Sequence, residues 1–482
     1  MGKLGKNYIY NICYQILVLI APIITAPYLA RVLGANYLGI SNYVVTIASV
    51  FTTVGLLGAQ NYAIREIAYN KNDSKKLEDT FYELYATRLF LGIITTFIYI
   101  IYISFSNYPD LMWLELLYVI AFFIDPCWFY IGMEDMGKAV ARNFFAKLAN
   151  IIGVFLLVKS QEDYKKYIFL LSFMTLVASL LAIPHLWRYF KIKIRKVSIK
   201  IIYCHVKGSL HLFWPQVAMM IYMSVDKILL ENFVSSSAVA YYDQAEKIVK
   251  IPLTFITVLS TVMMPRLASQ FVEGNKKQVH NYLSITIRFS SLLAFPMLFG
   301  ISGVASNLIP WYLGKDFLAV IQAIWVLSPI IVLSALVGIS GDQYLVATKQ
   351  THFMTISYFC AALANVIVDL VLIPKYSIIG AAIGTIVAYL VSLVIQYTVL
   401  LKKVSLMSDL LYSCLYFLKA MPMFIVVLIL SKILLPSWKS TIIQIVVGLI
   451  IYVITLMLLR DDMLIALFSK IKKINYFKTN KK

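Results

Sequence analysis

Charged residues are scarce in this chain, and their scarcity limits the kind of protein it can be. Asp, Glu, Lys and Arg make up 14% of 482 residues, whereas they make up about a quarter of an ordinary soluble domain. Nearly uncharged runs of about 20 residues recur along the chain, and each is long enough to cross a bilayer core as a helix. The runs do not alternate with period two, which excludes an outer-membrane β-barrel. We therefore predict an all-α integral membrane protein.

The apolar runs predict about fourteen transmembrane helices. The first run follows "MGKLGK" without a small-residue cleavage site, so we expect a retained helix and not a cleaved signal peptide. The predicted spans are 8 to 30, 40 to 61, 82 to 104, 111 to 131, 143 to 158, 165 to 187, 209 to 231, 245 to 265, 284 to 308, 318 to 340, 353 to 373, 377 to 401, 410 to 434 and 440 to 459.

Residues of metal and cofactor sites are also few. The 5 cysteines lie far apart without a CxxC pair, and the 5 histidines include no H-E-x-x-H, so we expect no disulfide, metal site or cofactor. The chain lacks a P-loop and a G-x-S-x-G nucleophile turn. "GAAIG" from Gly380 to Gly384 is most simply a helix-packing motif. These absences favour a protein that is not an enzyme.

Acidic residues are outnumbered, with 23 Asp and Glu against 43 Lys and Arg, which gives a net charge of +20. Most of the basic residues fall in alternate loops and in the C-terminal tail. The positive-inside rule then predicts a multi-pass membrane protein with both termini on the cytoplasmic side. The excess charge also favours anionic membrane lipids as partners. Nucleic acid is not expected, because no soluble domain could carry a basic face for it.

Two parts of the chain resemble each other, which predicts an internal repeat. "GISNYVVTIASVFTTVGLLGAQNYAIREIA" from Gly39 aligns without a gap to "AYYDQAEKIVKIPLTFITVLSTVMMPRLAS" from Ala240. Arg88 and Arg288 occupy similar places, and "LANIIGVFLLV" resembles "LANVIVDLVLI". We predict two six-helix lobes related by a parallel repeat. The boundaries are 1–190 for the N-terminal lobe, 191–207 for a cytoplasmic linker, 208–401 for the C-terminal lobe, and 402–482 for two extra helices and a basic cytoplasmic tail.

Three stretches resemble a known family. These are "ARVLGANYLGISNYVVTIASVFTTVGLLGAQNYAIREIA", "DPCWFYIGMEDM" and "VDKILLENFVSSSAVAYYDQAEKIVKIPLTFITVLSTVMMPRLA". They resemble the polysaccharide-biosynthesis flippases, the O-antigen and capsule repeat-unit branch of the multidrug/oligosaccharidyl-lipid/polysaccharide exporter superfamily. The resemblance implies fourteen helices in two lobes. It also implies movement of an undecaprenyl-diphosphate-linked oligosaccharide from the inner to the outer leaflet, and it supplies no residue-level motif.

Charged residues inside apolar spans are candidates for function, since a charge at a helix centre costs about 2.5 to 3.5 kcal/mol on insertion scales. The basic candidates are expected to line a central cationic cavity and bind the diphosphate: Arg31, Arg88, Lys147, Lys247, Lys250 and Arg288. The acidic candidates for coupling to Na⁺ or H⁺ are Asp226, Glu246 and Asp369. A structural role is the alternative for each, for example as an ion-pair partner or beside a helix break.

The spacing of Asp243, Glu246, Lys247 and Lys250 places all four on one stripe of a helix. In the repeat their counterparts are Asn42, Val45, Thr46 and Ser49, which are uncharged. The fold therefore does not require the charges, which favours a role in binding or coupling.

We expect alternating access driven by the membrane potential or an ion gradient, with a polysaccharide polymerase as a candidate partner. A multidrug or organic-cation antiporter on the same fold is the alternative. A membrane-embedded enzyme of the same pathway is a further one.

Overall fold

The computed structural model describes residues 3–190 and 195–465. Contacts divide the chain into two compact units, Met1–Ala240 and Tyr241–Lys482. Among the described residues every regular element is a helix, as the apolar runs predict. Residues 191–194 and 466–482, which include the start of the predicted linker and the basic tail, lie outside the described part.

Within its described residues, unit 1 contains eight α-helices and the start of a ninth. Their bounds are α1 Lys3–Gly55, α2 Ala59–Asn70, α3 Ser74–Ile103, α4 Pro109–Ile124, α5 Cys127–Gly132, α6 Met136–Leu157, α7 Tyr164–Ala182, α8 Ile199–Phe233 and α9 Ser236–Lys250. Because α8 begins at Ile199, most of the predicted linker is helical. By its contacts α8 belongs to unit 1, whereas the predicted C-terminal lobe begins at 208, within α8. The boundaries of the predicted repeat stay a prediction.

Up to residue 465, where the described part ends, unit 2 contains the rest of α9 and eight further α-helices. Their bounds are α10 Leu253–Val272, α11 Lys276–Tyr312, α12 Ala319–Leu327, α13 Ile330–Gly338, α14 Thr351–Tyr376, α15 Ile378–Leu401, α16 Met407–Ile433 and α17 Trp438–Leu458. A π-helical turn, Ile339–Leu345, extends α13.

Ten of these segments are long and apolar enough to cross a membrane within the described part of the chain. The buried and exposed faces of α3 show why such a helix is suited to a membrane. Leu91, Thr95 and Tyr99 are buried, whereas Ile93 and Phe97 on another face are 71% and 64% exposed. A helix that is apolar on both its packed and its exposed face is suited to lipid rather than to water.

Helix breaks divide several predicted spans. Gly34 has φ +70° and ψ 173° inside α1, a conformation that glycine adopts without a steric penalty. α9 and α10 are separated at Ile251 and Pro252, so the predicted span 245 to 265 is two helices. Pro22 and Pro27, in contrast, lie inside α1, which remains helical around them.

The turns that follow the two aligned parts are similar, although the helix breaks within those parts fall at different places. α2 ends at Asn70 and α3 begins at Ser74, while α10 ends at Val272 and α11 begins at Lys276. In both cases an Asx side chain accepts hydrogen bonds at the new helix start: Asp73 from the backbone N–H of Lys75 and Lys76, and Asn275 from that of Gln278. Each aligned part is therefore followed by a similar turn, and the internal repeat stays a prediction.

In unit 2, α14 and α15 pack closely through the "GAAIG" segment. A Cβ at Gly380 would lie 2.5 Å from the backbone carbonyl of Leu372, and one at Gly384 would lie 1.9 Å from Oδ1 of Asp369. Only glycine permits such close approach. The helix-packing interpretation of this motif is confirmed.

Candidate functional site

Arg88 lies on α3 and is 4% exposed. Its Nε donates to the carbonyl of Phe123 (3.1 Å), its Nη1 donates to Oε1 of Gln60 (2.7 Å), and its Nη2 donates to the carbonyl of Phe122. All three nitrogens of the guanidinium thus bond to unit 1 itself.

The break between α4 and α5 explains these bonds. Pro126 has no N–H to give to the carbonyl of Phe122, four residues earlier. The N–H of Cys127 turns to Oδ1 of Asp125 (3.2 Å), which leaves the carbonyl of Phe123 without its helical donor. Arg88 replaces both donors. In the same way, the hydroxyl of Tyr85 donates to the carbonyl of Ile124 (2.9 Å). The α3 side chains therefore satisfy a helix end that would otherwise be unpaired.

Asp125 caps this break and also pairs with a base on α6. Nη1 of Arg142 lies 3.0 Å from Oδ1 of Asp125, and its Nη2 lies 2.8 Å from Sγ of Cys127. Asp125 is the C-cap residue that follows α4, so it has a structural place at the helix break before Pro126. The ion pair ties α6 to the corner between α4 and α5.

Arg288, the repeat counterpart of Arg88, has different partners. On α11, its Nη2 lies 2.7 Å from Oδ1 of Asp409 and its Nε donates to the same oxygen at 2.9 Å. Its guanidinium also lies over the ring of Tyr412, 4.5 Å from the centroid. Asp409 is in the first turn of α16 and its side chain is 3% exposed. Arg288 keeps 30% of its side chain exposed, so it remains accessible.

A second buried ion pair in unit 2 was not among the predicted residues. Nζ of Lys419, on α16, lies 2.5 Å from Oδ2 of Asp461. The hydroxyl of Tyr416 donates to Oδ1 of Asp461 at 3.2 Å, and the backbone N–H groups of Met463 and Leu464 donate to the same oxygen. The signal in the sequence is a lysine well inside the apolar span 410 to 434, whose other lysine, Lys432, lies at its end.

Asp461 lies after the end of α17, and its pKa reflects these contacts. Burial opposes ionisation of the carboxyl, but the hydrogen bonds from Lys419 and from the N–H of Leu464 hold its pKa below the usual range. The carboxylate is thus maintained as an anion by its donors.

The charged stripe on α9 forms two ion pairs. Nζ of Lys247 lies 2.5 Å from Oδ2 of Asp243, and Nζ of Lys250 lies 2.5 Å from Oε1 of Glu246. Both pairs have the acid four residues before the base, which is the favourable order along a helix. The acids are buried, whereas the Lys247 and Lys250 side chains are 44% and 35% exposed. The predicted common face is confirmed, and the ammonium groups are its accessible part.

In the aligned segment of α1, polar side chains form hydrogen bonds to their own helix instead of ion pairs. The hydroxyl of Thr46 donates to the carbonyl of Asn42 at 2.7 Å, and that of Ser49 donates to the carbonyl of Thr46 at 2.9 Å. Each side chain is satisfied by its own helix. The charges on α9 therefore belong to one copy of the pattern only.

Asp369 lies on α14 and is fully buried. Its carboxylate and the amide of Asn365, one helical turn earlier, both face Gly384 of α15. Neither amide atom of Asn365 has a hydrogen-bond partner among the described residues. Next to Gly384, the hydroxyl of Thr385 lies 2.6 Å from that of Tyr242. Unit 2 thus has a cluster of buried oxygen atoms, and the sequence analysis identified only Asp369 from it.

The remaining candidates lie on separate helices. Asp226, on α8 of unit 1, is 3% exposed. Arg31 is exposed on α1, just before the break at Gly34, and Lys147 is half-buried on α6. These three residues lie on α1, α6 and α8 of unit 1, and their common role stays a prediction.

Glu115 on α4 is a buried carboxyl that the sequence analysis did not single out. It is 1% exposed, and its Oε1 has no hydrogen-bond partner within the described residues. Its position inside an apolar span is the signal that could have identified it.

Four of the five cysteine side chains lie in the described part of the chain. Cys127, Cys204, Cys360 and Cys414 are free thiols, and Cys13 lies outside the side chains that the structure describes. No group of three or more His, Cys, Asp or Glu suited to a metal ion occurs among the described residues.

Comparisons with known proteins identify the class. The family model "Polysaccharide biosynthesis protein" matches residues 4–271, and the model "Lipid II flippase MurJ" matches residues 143–457. The first match alone exceeds half of the chain. The chain belongs to the polysaccharide biosynthesis family of the multidrug/oligosaccharidyl-lipid/polysaccharide exporter superfamily, whose members are transporters and not catalytic enzymes. The resemblance predicted from the sequence is confirmed.

Two curated relatives are similar over part or most of the chain. A "Probable low-salt glycan biosynthesis flippase Agl15" of Haloferax volcanii is 22% identical over 267 residues, which are 55% of each chain. A "Putative O-antigen transporter" of Escherichia coli K12 is 22% identical over 388 residues, 79% of this chain and 92% of that relative. The chain thus spans about half the length of the first relative and most of the second.

Two solved structures share the fold. The inward closed conformation of the lipid II flippase MurJ has a TM-score of 0.73 at 16% identity, covering 94% of this chain and 99% of that one. An inward-facing multidrug resistance MATE family transporter has a TM-score of 0.62 at 16% identity, covering 80% and 96%. At these identities the likeness shows the fold alone, and the predicted fold class is confirmed.

Proposed function

We propose that this protein is a flippase that moves undecaprenyl-diphosphate-linked oligosaccharide repeat units from the inner to the outer leaflet of a bacterial cytoplasmic membrane by alternating access. The observation that carries the proposal is the match of two flippase-related family models, which together extend from residue 4 to residue 457. In this proposal both termini lie on the cytoplasmic side, and a polysaccharide polymerase receives the exported unit.

Binding of the diphosphate requires cationic side chains that have N–H groups available for its oxygen atoms. Lys247, Lys250 and Arg288 retain substantial exposure despite their acidic partners, and Arg31 is exposed. An ammonium or guanidinium that already has one carboxylate partner can bind a phosphate through its remaining N–H groups. We assign the diphosphate to these four residues and Lys147. Arg88 serves the corner between α4 and α5 instead.

The driving force can come from the membrane potential. Moving about two negative charges outward, with the inside negative, is favoured by roughly 4.6 kcal/mol per 100 mV. A coupled Na⁺ or H⁺ would add to this, with Asp226, Glu246 and Asp369 as its candidate sites. Asp369 has the most support, because Asn365 places a further oxygen-bearing side chain beside it and hard cations prefer oxygen ligands.

The multidrug antiporter remains the alternative on the same fold. Its cargo would be a cation, for which exposed basic groups such as Lys247, Lys250 and Arg288 are unsuited, since like charges repel. Export of organic cations that depends on Asp226 or Asp369, without movement of a lipid-linked sugar, would favour the antiporter.

The test is transport of a defined undecaprenyl-diphosphate-linked oligosaccharide in proteoliposomes, with the potential and the ion gradients varied separately. We expect Lys250→Ala combined with Arg288→Ala to abolish flipping. Lys75→Ala combined with Lys315→Ala removes the same charge from exposed positions and should leave flipping intact. Because Asp409 loses its partner in the first variant, Arg288→Lys and a thermal unfolding measurement control for folding. Full transport by the Lys250 and Arg288 double variant would contradict the assignment.

A further inference from the structure

A cavity of about 660 Å³ opens at one end of unit 2. Its walls come from the turn between α10 and α11 and from the connection between α15 and α16. The side chains that matter below are Lys276, Lys277, His280, Lys402 and Lys403, with Tyr344 of the π-helical turn beside them. A volume of this size is typical of sites for small ligands.

The cavity is strongly basic. None of its lining residues is acidic. Within the described part of the chain, no carboxylate oxygen lies within 4.0 Å of the amino group of Lys276, Lys277 or Lys402, and Lys403 donates to the neutral amide of Gln350 at 2.7 Å. The nearby carboxylate of Glu273 instead accepts a hydrogen bond from Gln270 at 2.7 Å. The lysines therefore repel one another without a protein anion to compensate them.

The position of two of these lysines adds to that repulsion. Lys276 and Lys277 are the first residues of α11, a helix of 37 residues. The N-terminus of a helix carries the positive end of the macrodipole, so cations there are unfavourable and anions are favourable. An anion in the cavity would interact favourably with the lysines and with the helix end together.

The walls of the cavity are fixed to each other. Nε2 of His280, on α11, donates to the backbone carbonyl of Ser405 at 2.9 Å, which joins the two segments that carry the lysines. The same nitrogen lies 3.6 Å from Oδ2 of Asp409, the carboxylate that pairs with Arg288. The lysines thus lie on two segments that are bonded to each other, and not on independent loops.

We propose that this cavity is a binding site for a phosphate-bearing anion with two or more negative charges. Lysine ammonium groups bind phosphate as compact point charges, and basic pockets at helix ends on the cytoplasmic side suit lipid headgroups. The phosphate can come from an anionic phospholipid or from a soluble phosphate compound. The site goes beyond the proposed flippase function, because none of its lysines belongs to the set assigned to the diphosphate of the cargo.

The test uses the purified full-length protein and the variant Lys276→Gln with Lys402→Gln. The control variant, Lys75→Gln with Lys315→Gln, removes the same charge from exposed positions elsewhere. One arm titrates inorganic pyrophosphate by calorimetry in detergent. The other counts bound cardiolipin, whose two phosphates carry two negative charges, by native mass spectrometry, with phosphatidylcholine as the neutral reference. Each lysine near an anionic phosphate contributes about a fivefold factor in affinity, so the double variant should bind roughly 25-fold more weakly.

The two arms separate the sources of the phosphate. Loss confined to the cavity variant in the lipid arm supports a phospholipid headgroup, and the same loss in the pyrophosphate arm supports a soluble phosphate. Recovery of binding in Lys276→Arg with Lys402→Arg would exclude a folding defect as the cause. Equal binding by the cavity variant, the control variant and the unaltered protein in both arms would overturn the proposal, as would equal loss in both variants.

Discussion

Replacement of Arg88 by alanine should loosen the corner between α4 and α5. The side chain supplies the donors for the carbonyls of Phe122 and Phe123, and both lie at a helix end that Pro126 deprives of its own donor. Each buried polar group left unpaired costs about 1 to 3 kcal/mol, so the two carbonyls together give roughly 2 to 6 kcal/mol. That is a large fraction of the 5 to 15 kcal/mol that typically separates folded from unfolded protein.

Hydrogen–deuterium exchange over residues 121–132 measures this effect locally. A loss of about 2 kcal/mol corresponds to exchange about thirtyfold faster in that segment. Arg88→Lys should give an intermediate result, because one ammonium cannot reproduce the forked geometry of the guanidinium. Arg65→Ala is the control, since the Arg65 side chain is 39% exposed and its ion pair is with the adjacent Glu66. Unchanged exchange in Arg88→Ala together with loss of flipping would refute the structural role and restore Arg88 to the cargo site.

Two further predictions concern unit 2. Because the pKa of Asp461 is held below its unfolded value, the stabilisation that its charge provides is present above the unfolded pKa and is lost as the pH falls through the folded one. Once each exchange rate is divided by the intrinsic rate at the same pH, residues 459–465 should therefore lose protection as the pH falls. Asp461→Asn should show low protection at every pH, and an equal loss of protection in both proteins would contradict the prediction. Gly380→Ala should lower the thermal stability and separate α14 from α15, because its Cβ would lie 2.5 Å from the backbone of Leu372. Gly300→Ala, whose Cβ would meet only Met423 at 3.4 Å, should melt close to the unaltered protein, and equal melting of both variants would refute the packing argument.

The sequence predicts the helices well and their interruptions less well. Helices follow from long apolar runs, because a membrane leaves the backbone no alternative partner for its hydrogen bonds. The break at Gly34 is invisible in such a run, since glycine is also common inside transmembrane helices. The break at Pro126 could be expected from proline, but the donor that makes it stable, Arg88, lies on another helix.

The candidate site shows the same division between local and distant contacts. Spacing alone places Asp243 with Lys247 on one face, because residues four apart on a helix are neighbours. The pairing of Arg288 with Asp409 joins residues 121 positions apart, and no local pattern specifies it. The sequence does not single out Lys419, because its partner, Asp461, follows a different helix.

Gly34 divides α1 into two helical arms that meet at a single hinge residue. Its two arms are helical on either side of one residue with φ +70°, so a change in that residue's torsion angles turns one arm against the other without disturbing either helix. Arg31 lies three residues from the joint, about 4.5 Å along the axis, whereas Pro22 lies twelve residues away, about 18 Å. A given rotation therefore displaces the far end of the arm about four times as much as the arginine. In the proposed assignment, Arg31 thus stays close to the diphosphate while the N-terminal end of the arm moves through a wider arc.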